Sequence, residues 1–105
     1  MNILLCCSAG MSTSLLVTKM QKAAEDQGKE ATINAVSASE VRNYVEEADV
    51  ILLGPQIRYM LQDMKKLGEE YHIPVATIDQ RDYGMVNGSA VLNQAQKLID
   101  EGAVS

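Results

Sequence analysis

The fold is set by residues 3–28, ILLCCSAGMSTSLLVTKMQKAAEDQG, which join a short apolar run to an amphipathic helical pattern through a loop of small polar residues. The run at residues 3–6 is β-prone and bounded by small residues, which predicts a buried strand. Apolar residues then recur at helical spacing from Leu16 to Ala24, and Gly28 predicts the end of the helix. The loop that begins at Cys7 therefore follows the carboxyl end of a strand and leads directly into a helix.

The same order of strand and helix recurs three more times along the chain. A capping box at residues 37–40 predicts the start of a short helix, and Gly68 predicts the end of the next one. A polar connection from Asp79 to Gly88 precedes the last helix. The predicted elements are strands near residues 31–35, 50–53 and 74–78, with helices near residues 41–48, 57–68 and 91–102.

Strands that alternate with helices predict an α/β fold with a single open, four-stranded parallel sheet and helices on both faces. A chain of 105 residues is long enough for one core, so we expect one domain over residues 1–105. All loops that follow strands should lie at one edge of the sheet. That edge is predicted to bring Cys7, Gly54, Asp79 and Tyr83 together.

Composition excludes several classes of function. The formal charge is -5 and basic residues are not clustered, which argues against a nucleic-acid partner. No apolar stretch approaches the roughly 18 residues that cross a bilayer, so we expect a cytoplasmic protein without direct membrane insertion. The two adjacent cysteines form no disulfide framework and are expected to be reduced thiols. Neither a cofactor nor a metal ion is expected.

The loop after the first strand has the composition of a phosphate site. A thiol near a helix N-terminus experiences the positive end of the helix dipole, which favours the nucleophilic thiolate, so Cys7 is the candidate catalytic residue. Backbone amides and hydroxyls of the following residues are suited to hold phosphoryl oxygens. The candidate phosphate-binding residues are Ser8, Ala9, Gly10, Met11, Ser12, Thr13 and Ser14.

Other candidate residues have weaker support. Successive strand side chains point to opposite faces, so Cys6 is expected to belong to the core. His72, the only histidine, is expected in a solvated loop at the end of the sheet opposite Cys7. Gln56, Asp79 and Tyr83 follow strands and are candidates to border the phosphate loop.

Two known classes of protein hold phosphate on a loop of this kind. A phosphatase of the low-molecular-weight tyrosine type, or a related arsenate reductase, follows C-x5-R-[ST], but Thr13 stands where its arginine would clamp the phosphoryl group. Asp82-Tyr83 resembles the acid segment of such a phosphatase but lacks its proline. A flavodoxin-like module would hold a flavin phosphate without covalent chemistry. Without this arginine, hydrolysis of a phosphorylated Cys7 should be slow. The loop is therefore better suited to a cysteine that accepts a phosphoryl group and passes it on than to a phosphatase.

Three segments carry a resemblance to a known family: CSAGMSTSLL at residues 7–16, LLGPQI at residues 52–57, and residues 79–84, which end in Tyr83-Gly84. Together they resemble the enzyme IIB component of the lactose/cellobiose (chitobiose) family of the bacterial phosphoenolpyruvate-dependent sugar phosphotransferase system. The family cysteine aligns with Cys7. The resemblance spans essentially the whole chain and implies the fold of low-molecular-weight phosphatases.

The resemblance also implies a reaction and its partners. Cys7 would accept a phosphoryl group from a histidine of a IIA protein and donate it to a sugar bound by the membrane transporter IIC, which makes the chain a phosphotransferase. The implied sugar is a β-disaccharide such as cellobiose. Met11, an apolar residue in a polar loop, is a candidate contact for the partner.

Overall fold

The computed structural model describes residues 1–7 and 14–104, with side chains as far as residue 102. Its strands form one parallel sheet in the order β2-β1-β3-β4. The strands are β1 (Asn2–Cys7), β2 (Thr32–Ser37), β3 (Val50–Leu53) and β4 (Val75–Thr77). The helices are α1 (Ser14–Asp26), α2 (Leu61–Tyr71), α3 (Gln80–Gly84) and α4 (Gly88–Val104), with 3-10 helices at Val41–Asn43, Val45–Glu47 and Pro55–Met60.

The sheet separates two hydrophobic cores, which confirms the prediction of helices on both faces. Along β1, Ile3 and Leu5 pack into the core shared with α1 and α4. Leu4 and Cys6 pack into the opposite core, which α2 and the 3-10 helices cover. The alternation follows from the period of two that strand geometry imposes on side chains. β1 lies in the middle of the sheet and its carboxyl end is enclosed by layers on both sides.

The predicted helix over residues 41–48 was wrong in type, because the structure has two 3-10 helices there. The expected capping box is also absent. The Ser37 hydroxyl donates to the Glu40 carboxylate at 2.8 Å rather than accepting from a backbone amide, and Glu40 makes no side-chain cap. Twelve residues separate the end of β2 from the start of β3. A 3-10 helix rises roughly 2.0 Å per residue against 1.5 Å for an α-helix, so it spans the return along the sheet with fewer residues.

Gly68 does not end the third predicted helix. It is buried inside α2, where an added Cβ would lie 2.5 Å from the carbonyl oxygen of Ile73. The helix ends at Tyr71, and His72 adopts the left-handed conformation with φ 58. The Ile73 amide then donates to the Gly68 carbonyl at 2.8 Å, the closing bond of a Schellman-type cap. Gly68 therefore permits close packing of the chain that leads to β4.

The polar connection from Asp79 to Gly88 contains the short helix α3, which sequence periodicity could not reveal in five residues. Its carboxyl end also closes with a Schellman-type bond, from the Asn87 amide to the Asp82 carbonyl at 2.9 Å. Val86 takes the left-handed position with φ 51, a conformation that β-branched residues rarely adopt. The turn places Gly88 against the backbone of α1, so α3 and its cap fix where α4 begins.

Candidate active site

The carboxyl edge of the sheet brings together the loops that the sequence predicts there. The Gly54 amide donates to the Cys6 carbonyl at 2.8 Å, which ties the end of β3 to the end of β1. The amide of Ile78 donates to the Leu53 carbonyl, also at 2.8 Å, which ties β4 to β3. The segments that carry Gly54, Asp79 and Tyr83 therefore gather at the edge where β1 ends at Cys7, as predicted.

Cys7 is the last residue of β1, and its side chain has no accessible surface. α1 begins seven residues later, at Ser14, and has no acidic side chain in its first turn. A carboxylate there would compete with a bound anion for the amides at the helix N-terminus. The predicted phosphate-binding residues Ser8, Ala9, Gly10, Met11, Ser12 and Thr13 lie outside the described residues. Ser14, the seventh, is the first residue of α1.

Cys6 differs from Cys7 in its surroundings, although the two residues are adjacent. Its side chain is fully buried in the core beneath α2, as the sequence predicts. Burial raises the pKa of the Cys6 thiol from its ordinary 9.0 to about 11, and the neighbouring Cys7 adds to the rise. Because thiolates are the nucleophilic form, Cys6 remains an unreactive thiol at neutral pH.

The raised pKa of Cys6 predicts a loss of stability in alkali. The protonated thiol is favoured by the folded state, so its contribution is complete below pH 9 and is lost as the pH rises through about 11. We expect the urea midpoint of the wild type to fall between pH 9 and 11 more steeply than that of Cys6→Ala. Groups that titrate in both proteins cancel in this comparison. Parallel curves for the two proteins would contradict the assignment.

Asp79 has a structural part in the described geometry. Its Oδ1 accepts hydrogen bonds from the amides of Arg81 at 2.8 Å and Asp82 at 3.3 Å, so it caps the start of α3. An aspartate that accepts from two amides is held in one rotamer at the helix start. Asp79 therefore orients α3 and, with it, Tyr83.

Gln56 and Tyr83 are in direct contact at the same edge. The Gln56 side-chain amide donates to the Tyr83 hydroxyl at 3.1 Å, which links the 3-10 helix after β3 to α3. Beside this bond lies a groove of about 630 Å³ that contains a guanidinium, two phenol rings and two amides. The groove is lined by Pro55, Gln56, Arg58, Tyr59, Gln80, Tyr83 and Gly84.

Sequence reasoning missed Ser37 as a residue of this edge. β1 and β2 pair in parallel with Cys7 opposite Ser37, so the two side chains are neighbours on the same face. The Ser37 hydroxyl contacts the Glu40 carboxylate at 2.8 Å and the Ser39 hydroxyl at 3.0 Å. The sequence signal was the cluster of serines after the second strand, which the capping-box hypothesis assigned to helix initiation instead.

His72 lies where the sequence places it, away from Cys7. It is exposed and follows α2, before the chain enters β4 at the amino edge of the sheet. Among residues 1–7 and 14–104, no three His, Cys, Asp or Glu side chains cluster in a way that would hold a metal ion. The helices of the described part of the chain include none with the length and apolar character of a bilayer span.

Comparison with known proteins shows the family to which this chain is similar in sequence. Residues 2–94 match the family described as PTS system, Lactose/Cellobiose specific IIB subunit. The cellobiose-specific EIIB component of Lactococcus lactis is 45% identical over 103 residues, covering 93% of this chain and 95% of that protein. The oligo-beta-mannoside-specific EIIB component of Bacillus subtilis is 43% identical over 97 residues, covering 92% and 94%.

Similarity in structure agrees with similarity in sequence. The solution structure of the cellobiose-specific phosphotransferase IIB component from Borrelia burgdorferi superposes with a TM-score of 0.81 at 38% identity, over 97% of this chain and 94% of that one. The lactose-specific EIICB component of Streptococcus mutans is 28% identical over 82 residues, which are 78% of this chain and 14% of that protein. The chain belongs to the lactose/cellobiose-specific IIB subunit family of the PTS system.

Proposed function

We propose that Cys7 is the residue on which this phosphotransferase carries its phosphoryl group. The observation that carries the proposal is the contrast between the two cysteines. Cys7 ends β1 at the edge where the strand-end loops meet, whereas Cys6 is packed in the core and keeps its proton. Family membership favours a phosphocarrier over the phosphatase alternative.

The proposed donor is a phosphohistidine of a IIA protein. The Cys7 thiolate attacks the phosphorus in line, the S–P bond forms and the N–P bond breaks. The electron pair of the N–P bond returns to the imidazole, which takes up the proton that the thiol released. In the second transfer a sugar hydroxyl attacks the same phosphorus, Cys7 leaves as the thiolate, and the hydroxyl proton passes to a base or to water. Each step exchanges one bond to phosphorus for another, so no oxidant or metal ion is consumed.

Ser14 and the loop before it are the proposed binding groups for the phosphoryl oxygens: Ser8, Ala9, Gly10, Met11, Ser12 and Thr13. This proposal is supported by the start of α1 at Ser14, because the free amides of a helix N-terminus carry the positive end of the helix dipole and favour an anion. No arginine or lysine stands among residues 7–14. Stabilisation by amides and hydroxyls without a guanidinium clamp suits reversible transfer better than hydrolysis.

The proposed acceptor is a β-disaccharide such as cellobiose, bound by a IIC transporter. The named sugars of two close relatives, cellobiose and oligo-β-mannoside, support a β-linked sugar. The similarity to an EIICB component supports IIC as the partner, because that protein combines both components in one chain. We propose that this chain acts on the cytoplasmic side of the membrane.

Transfer from phosphorylated IIA tests the proposal directly. Incubation should add the mass of one phosphoryl group, and peptide mapping should place it on the segment that contains Cys7. The same protein should turn over a generic aryl phosphate no faster than a heat-denatured sample. A label on another residue would contradict the role of Cys7, and steady aryl phosphate turnover would revive the phosphatase alternative.

A further inference from the structure

We propose that Ser37 donates a hydrogen bond to the phosphoryl group on Cys7, and that Glu40 competes for the same proton. The inference rests on the proposed function, because it requires a phosphoryl group at Cys7. It assigns a role to a second strand end, β2, which supplies no residue to the phosphate loop.

The pairing of β1 with β2 places the two side chains side by side. Cys7 and Ser37 are partners in the parallel register and are the last residues of their strands. Adjacent strands lie about 4.8 Å apart, and paired residues of a parallel sheet project to the same face. A phosphoryl group on the Cys7 sulfur extends further than the sulfur itself, so its oxygens come within reach of the Ser37 hydroxyl.

The contacts of Ser37 with the residues that follow β2 show which group accepts its hydroxyl proton in the unphosphorylated protein. The Ser37 hydroxyl donates to Oε1 of Glu40 at 2.8 Å. Its oxygen lies 3.0 Å from the Ser39 hydroxyl. Because a hydroxyl carries one proton, Ser39 is the donor in that second contact. The three side chains therefore form a directed chain from Ser39 through Ser37 to the carboxylate.

Phosphorylation of Cys7 adds a second anionic acceptor beside Ser37. A rotation about the Cα–Cβ bond of Ser37 moves its proton from the carboxylate to a phosphoryl oxygen, without proton transfer between groups. Glu40 loses its hydrogen bond and keeps a negative charge near the phosphoryl group. Ser37 thus stabilises the phosphorylated state, while Glu40 destabilises it and favours onward transfer.

The two residues should shift one equilibrium in opposite directions. The experiment mixes each protein with ³²P-phosphorylated IIA at a fixed ratio and measures the equilibrium constant for transfer to Cys7. Ser37→Ala removes the bond to Glu40 from the unphosphorylated state and the bond to the phosphoryl group from the phosphorylated state. The phosphoryl group carries more negative charge than a carboxylate, so the constant should fall by the difference between the two bonds, about threefold. Ser37→Thr keeps a hydroxyl at this position, so its equilibrium constant should stay near that of the wild type. Glu40→Gln should raise the constant by about threefold.

The matched control is a serine outside the turn that follows β2. Ser89→Ala removes an exposed hydroxyl from the start of α4 and should leave the constant unchanged. An unchanged constant in Ser37→Ala, or a lower constant in Glu40→Gln, would overturn the inference. A general disturbance of the turn after β2 would shift the constants of both variants in the same direction, so opposite shifts distinguish the inference from it. A wild type that takes no label on Cys7 would instead overturn the proposed function.

Discussion

Cys7→Ser is expected to abolish phosphoryl uptake from phosphorylated IIA. A serine hydroxyl keeps the size of the side chain but has a pKa far above that of a thiol, so almost none of it is ionised at neutral pH. Serine adds no volume at the buried end of β1, and burial of its hydroxyl costs about 1–3 kcal/mol in stability, as in Cys6→Ser. The measurement is ³²P incorporation after denaturing electrophoresis, and the expected result is the loss of the label.

The adjacent cysteine supplies the control for this experiment. Cys6→Ala should keep normal labelling, because Cys6 packs into the opposite core and its raised pKa keeps the proton on sulfur. Cys6→Ser matches the chemistry of the test variant but buries a hydroxyl, at a cost of about 1–3 kcal/mol in stability. Labelling that survives in Cys7→Ser and disappears in Cys6→Ala would place the phosphoryl group on Cys6 and contradict the proposed role of Cys7.

Gly88→Ala is expected to destabilise the protein by about 3 kcal/mol. An added Cβ at this position would lie 2.4 Å from the carbonyl carbon of Lys19 and 2.6 Å from the amide nitrogen of Met20. Both are backbone atoms, so a rotamer change cannot relieve the contact and α1 must move away from α4. Urea unfolding followed by circular dichroism measures the loss.

Gly84→Ala is the matched control, since an added Cβ there meets no atom within 4 Å. Alanine is the better helix former by up to about 1 kcal/mol, so the control should unfold at the same urea concentration as the wild type or slightly higher. Equal stability of both variants would show that α1 and α4 separate at no cost. The comparison matters for the site because α1 is the helix that follows the Cys7 loop.

The sheet was predictable from the sequence because its strands are short apolar runs. Val50 to Leu53 is buried at every position, and such runs between polar segments point to strands of a parallel sheet. Helix type was harder to predict over residues 41–48, since the apolar positions of 3-10 and α-helices differ little in so short a segment. Gly68 was misassigned because close backbone packing requires glycine just as a helix end does.

The candidate site was predictable wherever position along a strand decides it. Alternation along β1 separates Cys6 from Cys7, and parallel topology gathers the strand ends. The proximity of Ser37 depends on which strand lies beside β1 and in what register, and local sequence carries neither. The same holds for the bond between Gln56 and Tyr83, which joins residues 27 positions apart.

The central position of β1 has a consequence for biosynthesis. β1 precedes both of its neighbours in the chain, and its pairing with β3 begins only at Val50. A nascent chain that ends before this point leaves one edge of an almost wholly apolar strand without a partner. Unpaired apolar edges recruit strands from other molecules. Ribosome-bound intermediates of this protein therefore keep at least one edge of β1 open to aggregation until β3 has been synthesised.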